Sequence, residues 1–255
     1  MRVVILQPGY LPWLGFFDLM YKADFFVIFN DVQYTVRDWR NRNRIKTPNG
    51  VIWLTVPVES RGAREKLIKD VEIDNTQKWQ ERHLKSLESF YKRAKYFDEV
   101  MALIADLFKK TYRFLIDVDM DFIMKVRDYL SIDTKILFSS EIPSRGKKDE
   151  KLLSICKFLN STCYLSGNTA KNYLRESIFA AEGIKVEWHD YQHPYYNQLW
   201  QKEQGFISHL SIIDLLFNHG PYSLAILTGE KVIPKPNDIV VRHAHEVWLN
   251  RCFLK

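Results

Sequence analysis

The chain has 255 residues, of which 46% are hydrophobic and 27% charged. That is ordinary globular material and excludes a disordered chain, and at this length one large domain, or one with a helical appendage, is expected. The 37 Lys and Arg against 31 Asp and Glu leave a net charge of +6, which permits an anionic small-molecule partner without by itself arguing for nucleic acid.

Three cysteines with no Cys-x-x-Cys pair exclude a disulfide framework and a zinc ribbon. Cys156 and Cys163 lie in apolar surroundings and read as core residues. No apolar run reaches the length of a membrane-spanning helix. The apolar run at residues 3–6 stops at Gln7-Pro8, too short for a secretory signal. A cytoplasmic protein is therefore expected.

Residues 2–6 read as a short buried strand, broken by Gln7-Pro8-Gly9-Tyr10-Leu11-Pro12. Residues 14–22 read as a helix, with Leu14, Phe17 and Tyr21 on one stripe, and 24–29 as a second strand. Strand, loop, helix and strand form a βαβ unit. The expected fold is α/β, a mostly parallel sheet with helices on both faces. Residues 35–50 interrupt this pattern with Arg37, Arg40, Arg42, Arg44 and Lys46. Alternating strands are expected at 51–58 and 69–73. A helical middle region, about 76–130, keeps apolar residues three to four apart and reads as a lid, an insertion or the helical layer of a single 1–255 domain. The βαβ pattern then resumes, with strands at 134–138, 161–165 and 184–188 and a helix at 149–159. Ser211-Ile212-Ile213-Asp214 has the spacing of a capping box.

Five stretches carry candidate chemistry. In open α/β sheets ligands sit beyond the carboxyl ends of strands, which marks the loop from Gln7 through Tyr10 and Trp13 to Gly15. Next comes 31–46. If 40–46 is extended, Arg40, Arg42, Arg44 and Lys46 share one face, suited to a diphosphate, and Asn41 and Asn43 share the other, suited to fixing the loop. The polar loop from Ser139-Ser140 to Lys147-Lys148, the turn Ser166-Gly167-Asn168 and the segment from His189 to Gln198 with His193-Pro194-Tyr195-Tyr196 complete the set. His193 is the best candidate for general acid/base work. His83 reads as a structural residue of an amphipathic helix, and Asp117, Asp119 and Asp121 as a helix-start acidic cluster. His209, His219, His243 and His245 show no metal-ligand spacing, so no metal site is expected.

At this point Gln7-Pro8-Gly9-Tyr10-Leu11-Pro12-Trp13-Leu14-Gly15-Phe16-Phe17-Asp18, Asp31-Val32-Gln33-Tyr34, Asn41-Arg42-Asn43-Arg44-Ile45-Lys46 and Trp53-Leu54-Thr55-Val56-Pro57-Val58 together resemble the WbqC-like family. Tyr164-Leu165-Ser166-Gly167, His193-Pro194-Tyr195 and the stretch Leu210 to Asn218 resemble it too. One departure is Asn30, where an acidic residue is expected before Asp31. The resemblance implies bacterial O-antigen or other surface-polysaccharide biosynthesis, with transfer of glycine to an amino sugar as one activity. The strand-loop-helix plan is also similar to that of nucleotidylyltransferases, some of which join a carboxylate to an amine through an acyl-adenylate and would use ATP. Their first loop carries His-x-Gly-His, whereas Trp13-Leu14-Gly15-Phe16 stands here.

These readings converge on a transferase of acyl or aminoacyl groups acting on a nucleotide-linked amino sugar. Arg42, Arg44 and Lys46 hold phosphate, while Gln7, Asp31 and Asn43 orient polar groups. Tyr10 and Trp13 form an apolar wall. Ser139, Ser166, Gly167 and Tyr196 line the opposite rim, with His193 as general base and Asp31 beside it in the catalytic set. The rivals are a non-catalytic binder of nucleotides or sugar nucleotides and, less favoured, RNA binding through 37–46 with Trp39.

Overall fold

The computed structural model describes residues 1–230. His243, His245 and Cys252 lie outside the described residues. Five strands form one parallel sheet: β1 (Arg2–Leu6), β2 (Phe25–Ile28), β5 (Lys135–Phe138), β6 (Cys163–Gly167) and β7 (Lys185–His189). Their order is β5-β2-β1-β6-β7. Numbered within the sheet this is 3-2-1-4-5, the doubly wound order. A separate antiparallel hairpin joins β3 (Arg42–Thr47) to β4 (Gly50–Thr55).

Apolar side chains fill both faces of the sheet. Val3 and Ile5 point into a cluster with Leu152, Ile155 and Cys156 of α5 (Asp149–Phe158) and Phe179 of α6 (Glu176–Ala180). Val4 points the other way, into a cluster with α1 (Leu14–Tyr21), α4 (Leu115–Tyr129), α8 (Ile212–His219) and α9 (Ser223–Thr228). A run that is apolar at every position is what a strand covered on both faces requires. The middle region supplies α2 (Trp79–Tyr91), α3 (Phe97–Ile104) and α4, whose buried residues join this second cluster. Tyr10 meets Trp79 and Phe122 edge-on, at 6.2 and 5.6 Å between ring centroids.

The strand expected at 69–73 is instead a single helical turn, Ile68–Asp70, followed by isolated bridges from Glu72 to Phe114 and from Ile73 to Val58. The segment is apolar enough for a strand but has no long neighbour with which to form a ladder. The acidic triplet lies at the start of α4, as the sequence reading has it. Asp119 of that triplet is buried.

Candidate active site at the sheet switch point

The β1–β6 pair is the place where the winding of the sheet reverses. It is also where the sheet opens. The two strands pair only through Arg2 with Cys163 and Val3 with Tyr164, whereas β1 and β2 stay in register to Leu6 and Ile28. Beyond the short ladder lies a cavity of about 650 Å³, lined by Gln7, Trp13, Trp39, Arg40, Ser166 and Gly167 among others. A smaller cavity of about 260 Å³ shares Gln7, Trp13, Trp39 and Arg40 and adds Asn43 and His209. Ligands in doubly wound sheets bind at such a switch point.

The loop after β1 is fastened to the β3–β4 hairpin, and this carries Trp39 and Arg40 to the cleft. The Tyr10 amide donates to the Arg40 carbonyl at 3.1 Å. The Asn43 amide donates to the Leu11 carbonyl at 2.7 Å, and its oxygen accepts from the Arg44 amide. Gly9 is required here because a Cβ would come within 2.7 Å of the Trp39 carbonyl oxygen. Asn41 donates likewise to the Val56 carbonyl.

Arg40 is the cation of the cleft. Its guanidinium makes only long contacts, 3.4 Å to the Pro8 carbonyl and 3.8 Å to Asp38, and its Nε is buried without a partner among the described residues. Burial lowers its pKa, against the pull of Asp38 and of Asp119. A half-desolvated guanidinium with spare donors favours a phosphate or carboxylate.

Opposite, at the end of β7, stands His189. Gly167 and His189 are in register across β6 and β7. His189 Nε2 meets the Asp18 carboxylate at 2.5 Å, and Lys22 holds the same oxygen at 2.6 Å. Asp18 and His189 are both buried, and Tyr191 stacks on the imidazole at 5.4 Å. With Nε2–H donated to a carboxylate, the neutral ring carries its lone pair on Nδ1. His189 lines the larger cavity. A base fixed by a carboxylate has the geometry of general-base pairs.

The structure does not bring all of the expected site residues together. Gln7, Trp13, Asn43, Ser166 and Gly167 line the two cavities. Arg44 sits beside them at the rim, bonded to the His209 carbonyl and 5.4 Å from the Trp39 ring. Arg42 turns instead toward Trp53, 4.4 Å away, and a different cavity.

Lys46 is fully buried, with its ammonium bonded to Gln198 Oε1 and the Gly205 carbonyl, so it has no access to a phosphate. The common face expected for Arg42, Arg44 and Lys46 exists as backbone geometry, but the segment 198–205 covers its far end. Tyr10 is also withdrawn from the cleft. It is buried against α2, its hydroxyl 3.0 Å from His83 Nδ1. Tyr196 is buried and donates to Asp214 at 3.0 Å.

Asp31 and Ser139 form their own cluster at the ends of β2 and β5. Ser139 donates to Asp31, and Lys151 pairs with it at 2.6 Å. Burial raises the Asp31 pKa, but the bonds from Lys151 and Ser139 outweigh it and hold it below the usual carboxylate range. Asn30 accepts from Ser139 and the Ser140 amide and donates to the Ser140 hydroxyl. An acidic residue there would lose that donor and stand beside Asp31.

His193 lies one layer behind the cleft, packed on Tyr191 and His209 at 6.2 and 5.2 Å. Its Nδ1 donates to the Pro194 carbonyl, its Nε2 is buried without a partner among the described residues, and burial lowers its pKa.

The WbqC-like protein family model matches residues 7–226, which include every cleft-lining residue named above. The chain belongs to this family. The uncharacterized protein Rv1507c of Mycobacterium tuberculosis (strain ATCC 25618 / H37Rv) is 38% identical over 221 residues, covering 86% of this chain and 94% of that protein. No solved structure matches the chain. Among the described residues of this WbqC-like protein, no group of three or more His, Cys, Asp or Glu could hold a metal ion, and no helix is long and apolar enough to cross a membrane.

Asp18 and His189 are the residues to which sequence reasoning gives no role, whereas Arg40 stands there among the four cations of one face. Two signals point to the pair. Asp18 lies within the family motif that begins at Gln7, and His189 closes a strand at its carboxyl end, where doubly wound folds place their chemistry.

Proposed function

We propose that the chain is an acyl or aminoacyl transferase that holds a nucleotide-linked amino sugar in the switch-point cleft. The carrying observation is that a histidine held by a buried aspartate and an under-partnered arginine line one crevice. Arg40, with Arg44 at the rim, binds the diphosphate. Trp13 and Trp39 give flat apolar faces for base or sugar, and Ser166, Gln7 and Asn43 offer polar contacts.

His189, oriented by Asp18, is the general base. As the amine of the sugar attacks an activated acyl carbonyl, a C–N bond forms, the amine proton passes to Nδ1 and the activating group departs with its bonding electrons. Orientation of the two substrates supplies up to roughly 7–11 kcal/mol toward the barrier. ATP would serve as the activator, forming an acyl-adenylate with release of pyrophosphate. With Trp13-Leu14-Gly15-Phe16 in place of the two histidines, Arg40 would carry that phosphate chemistry. Glycine as acyl donor and surface-polysaccharide synthesis follow from the family resemblance.

The test combines thermal shift with UDP- and dTDP-linked amino sugars, ATP and glycine with glycine-stimulated ATP–pyrophosphate exchange. Stabilisation by a sugar nucleotide, lost in Arg40→Ala, is expected, together with transfer to the sugar amine. Binding without transfer from any acyl donor would leave a non-catalytic sugar-nucleotide binder. No stabilisation by any phosphate-bearing ligand would remove both readings.

A further inference from the structure

Arg42 faces away from the switch-point cleft. It borders a second cavity, of about 600 Å³, between the β3–β4 hairpin and the 57–65 segment. Three arginines line it, Arg37, Arg42 and Arg64, against one carboxylate, Glu65. A surface built only for solubility would mix its signs.

Arg42 is held in place, donating from Nη2 to the Arg37 carbonyl at 2.5 Å with its guanidinium over Trp53. Arg37 adopts a left-handed backbone, φ 58°, which a residue with a Cβ takes up only at a cost. Two buried side chains also line the cavity, Tyr34 at 2% and Asn41 at 7% exposure. The Tyr34 hydroxyl and the Asn41 Oδ1 have no partner among the described residues. Buried polar atoms are ordinarily paired, so each of these calls for a partner.

We propose that this cavity is a second ligand site, separate from the switch-point cleft, for a small phosphorylated metabolite. Its phosphate lies among Arg37, Arg42 and Arg64, whose forked donors match phosphate oxygens. Its remaining hydroxyls reach Tyr34 and Asn41. The segment 37–43 serves both sites, because Arg37, Asn41 and Arg42 line this cavity while Trp39, Arg40 and Asn43 line the cleft.

Calorimetric titration of the full chain with pyrophosphate tests the proposal. Two classes of site are expected. The double substitution Arg37→Ala with Arg64→Ala should weaken one class roughly tenfold or more, while Arg40→Ala weakens the other. Both Arg37 and Arg64 are exposed, so the double variant should fold. With ribose 5-phosphate, Tyr34→Phe should weaken binding that the arginine pair supports, leaving pyrophosphate unchanged. A single class of sites abolished by Arg40→Ala would overturn the proposal while leaving the cleft intact. Titrations unchanged by the double substitution would overturn it too.

Discussion

His189 Nε2 lies 2.5 Å from Asp18 Oδ2, so a residue near the middle of α1 fixes the imidazole at the end of β7. The same carboxylate oxygen takes the Lys22 ammonium, one turn further along. Asp18 thus both anchors the ring and sets which nitrogen donates. Asp18→Asn keeps the shape but can present an amide N–H to Nε2, which favours the other tautomer. We expect it to lower kcat for the proposed acyl transfer roughly 10²–10⁴-fold, with KM little changed. His189→Ala should lose at least as much. A transfer assay giving wild-type kcat for either variant would remove this pair from the chemistry.

Arg40 has spare donors in a partly buried position. Arg40→Ala should therefore weaken a nucleoside diphosphate ligand roughly 10–100-fold. Arg40→Lys should recover only part of that, because an ammonium cannot reproduce a two-pronged contact. Arg44, already bonded to the His209 carbonyl, should cost less on removal. Equal affinities for Arg40→Ala and wild type in calorimetry would show that the phosphate lies elsewhere.

Lys46 provides the contrasting case. Its ammonium is buried between Gln198 and Gly205, and burial lowers its pKa against the opposing pull of the Asp214 charge. Lys46→Met would strand the Gly205 carbonyl oxygen, leave Gln198 Oε1 with the Ile207 amide alone and take the nearby cation from Asp214. A loss of about 3 kcal/mol in denaturant unfolding is expected, with ligand affinity measured below the transition unchanged. A stable variant with weakened phosphate binding would return Lys46 to the site.

The contrast between Arg40 and Lys46 shows where sequence reading stops. The parallel strands were legible because β1 and β2 are short, apolar at every position after Arg2 and separated by one helix. The loop from Gln7 to Trp13 and the turn Ser166-Gly167 were legible because a doubly wound sheet places its ligands at strand ends. Alternation along β3 also put the asparagines on the loop-fixing side, where Asn41 and Asn43 stand. What alternation cannot show is what covers a face. Segment 198–205, some 150 residues away in the chain, buries Lys46 and leaves Arg40 in the cleft. The Asp18–His189 pair spans 171 positions, a separation at which no local pattern of residues operates.

Asp214 and His83 should give stability opposite dependences on pH over one window. Burial pushes the Asp214 carboxyl up from its ordinary 3.8 to about 6, although Tyr91, Tyr196 and Gln198 all donate to it. The folded chain then holds a proton that the unfolded chain has released. The stability this contributes is present below pH 3.8 and is lost as pH rises through 6. Burial, helped by the neighbouring Arg82, pulls His83 down from 6.5 to about 4. Here the unfolded chain takes up the extra proton, so stability is present above pH 6.5 and is lost as pH falls through 4. Each effect amounts to roughly 3 kcal/mol across its range, and they largely cancel between pH 4 and 6. Asp214→Asn should therefore make unfolding free energy rise more steeply with pH in that window than in the wild type. His83→Gln, which keeps an acceptor for Tyr10, should make it fall. Urea unfolding at half-unit pH steps reads both slopes, and variant curves parallel to the wild type would show that neither group titrates differently in the folded chain.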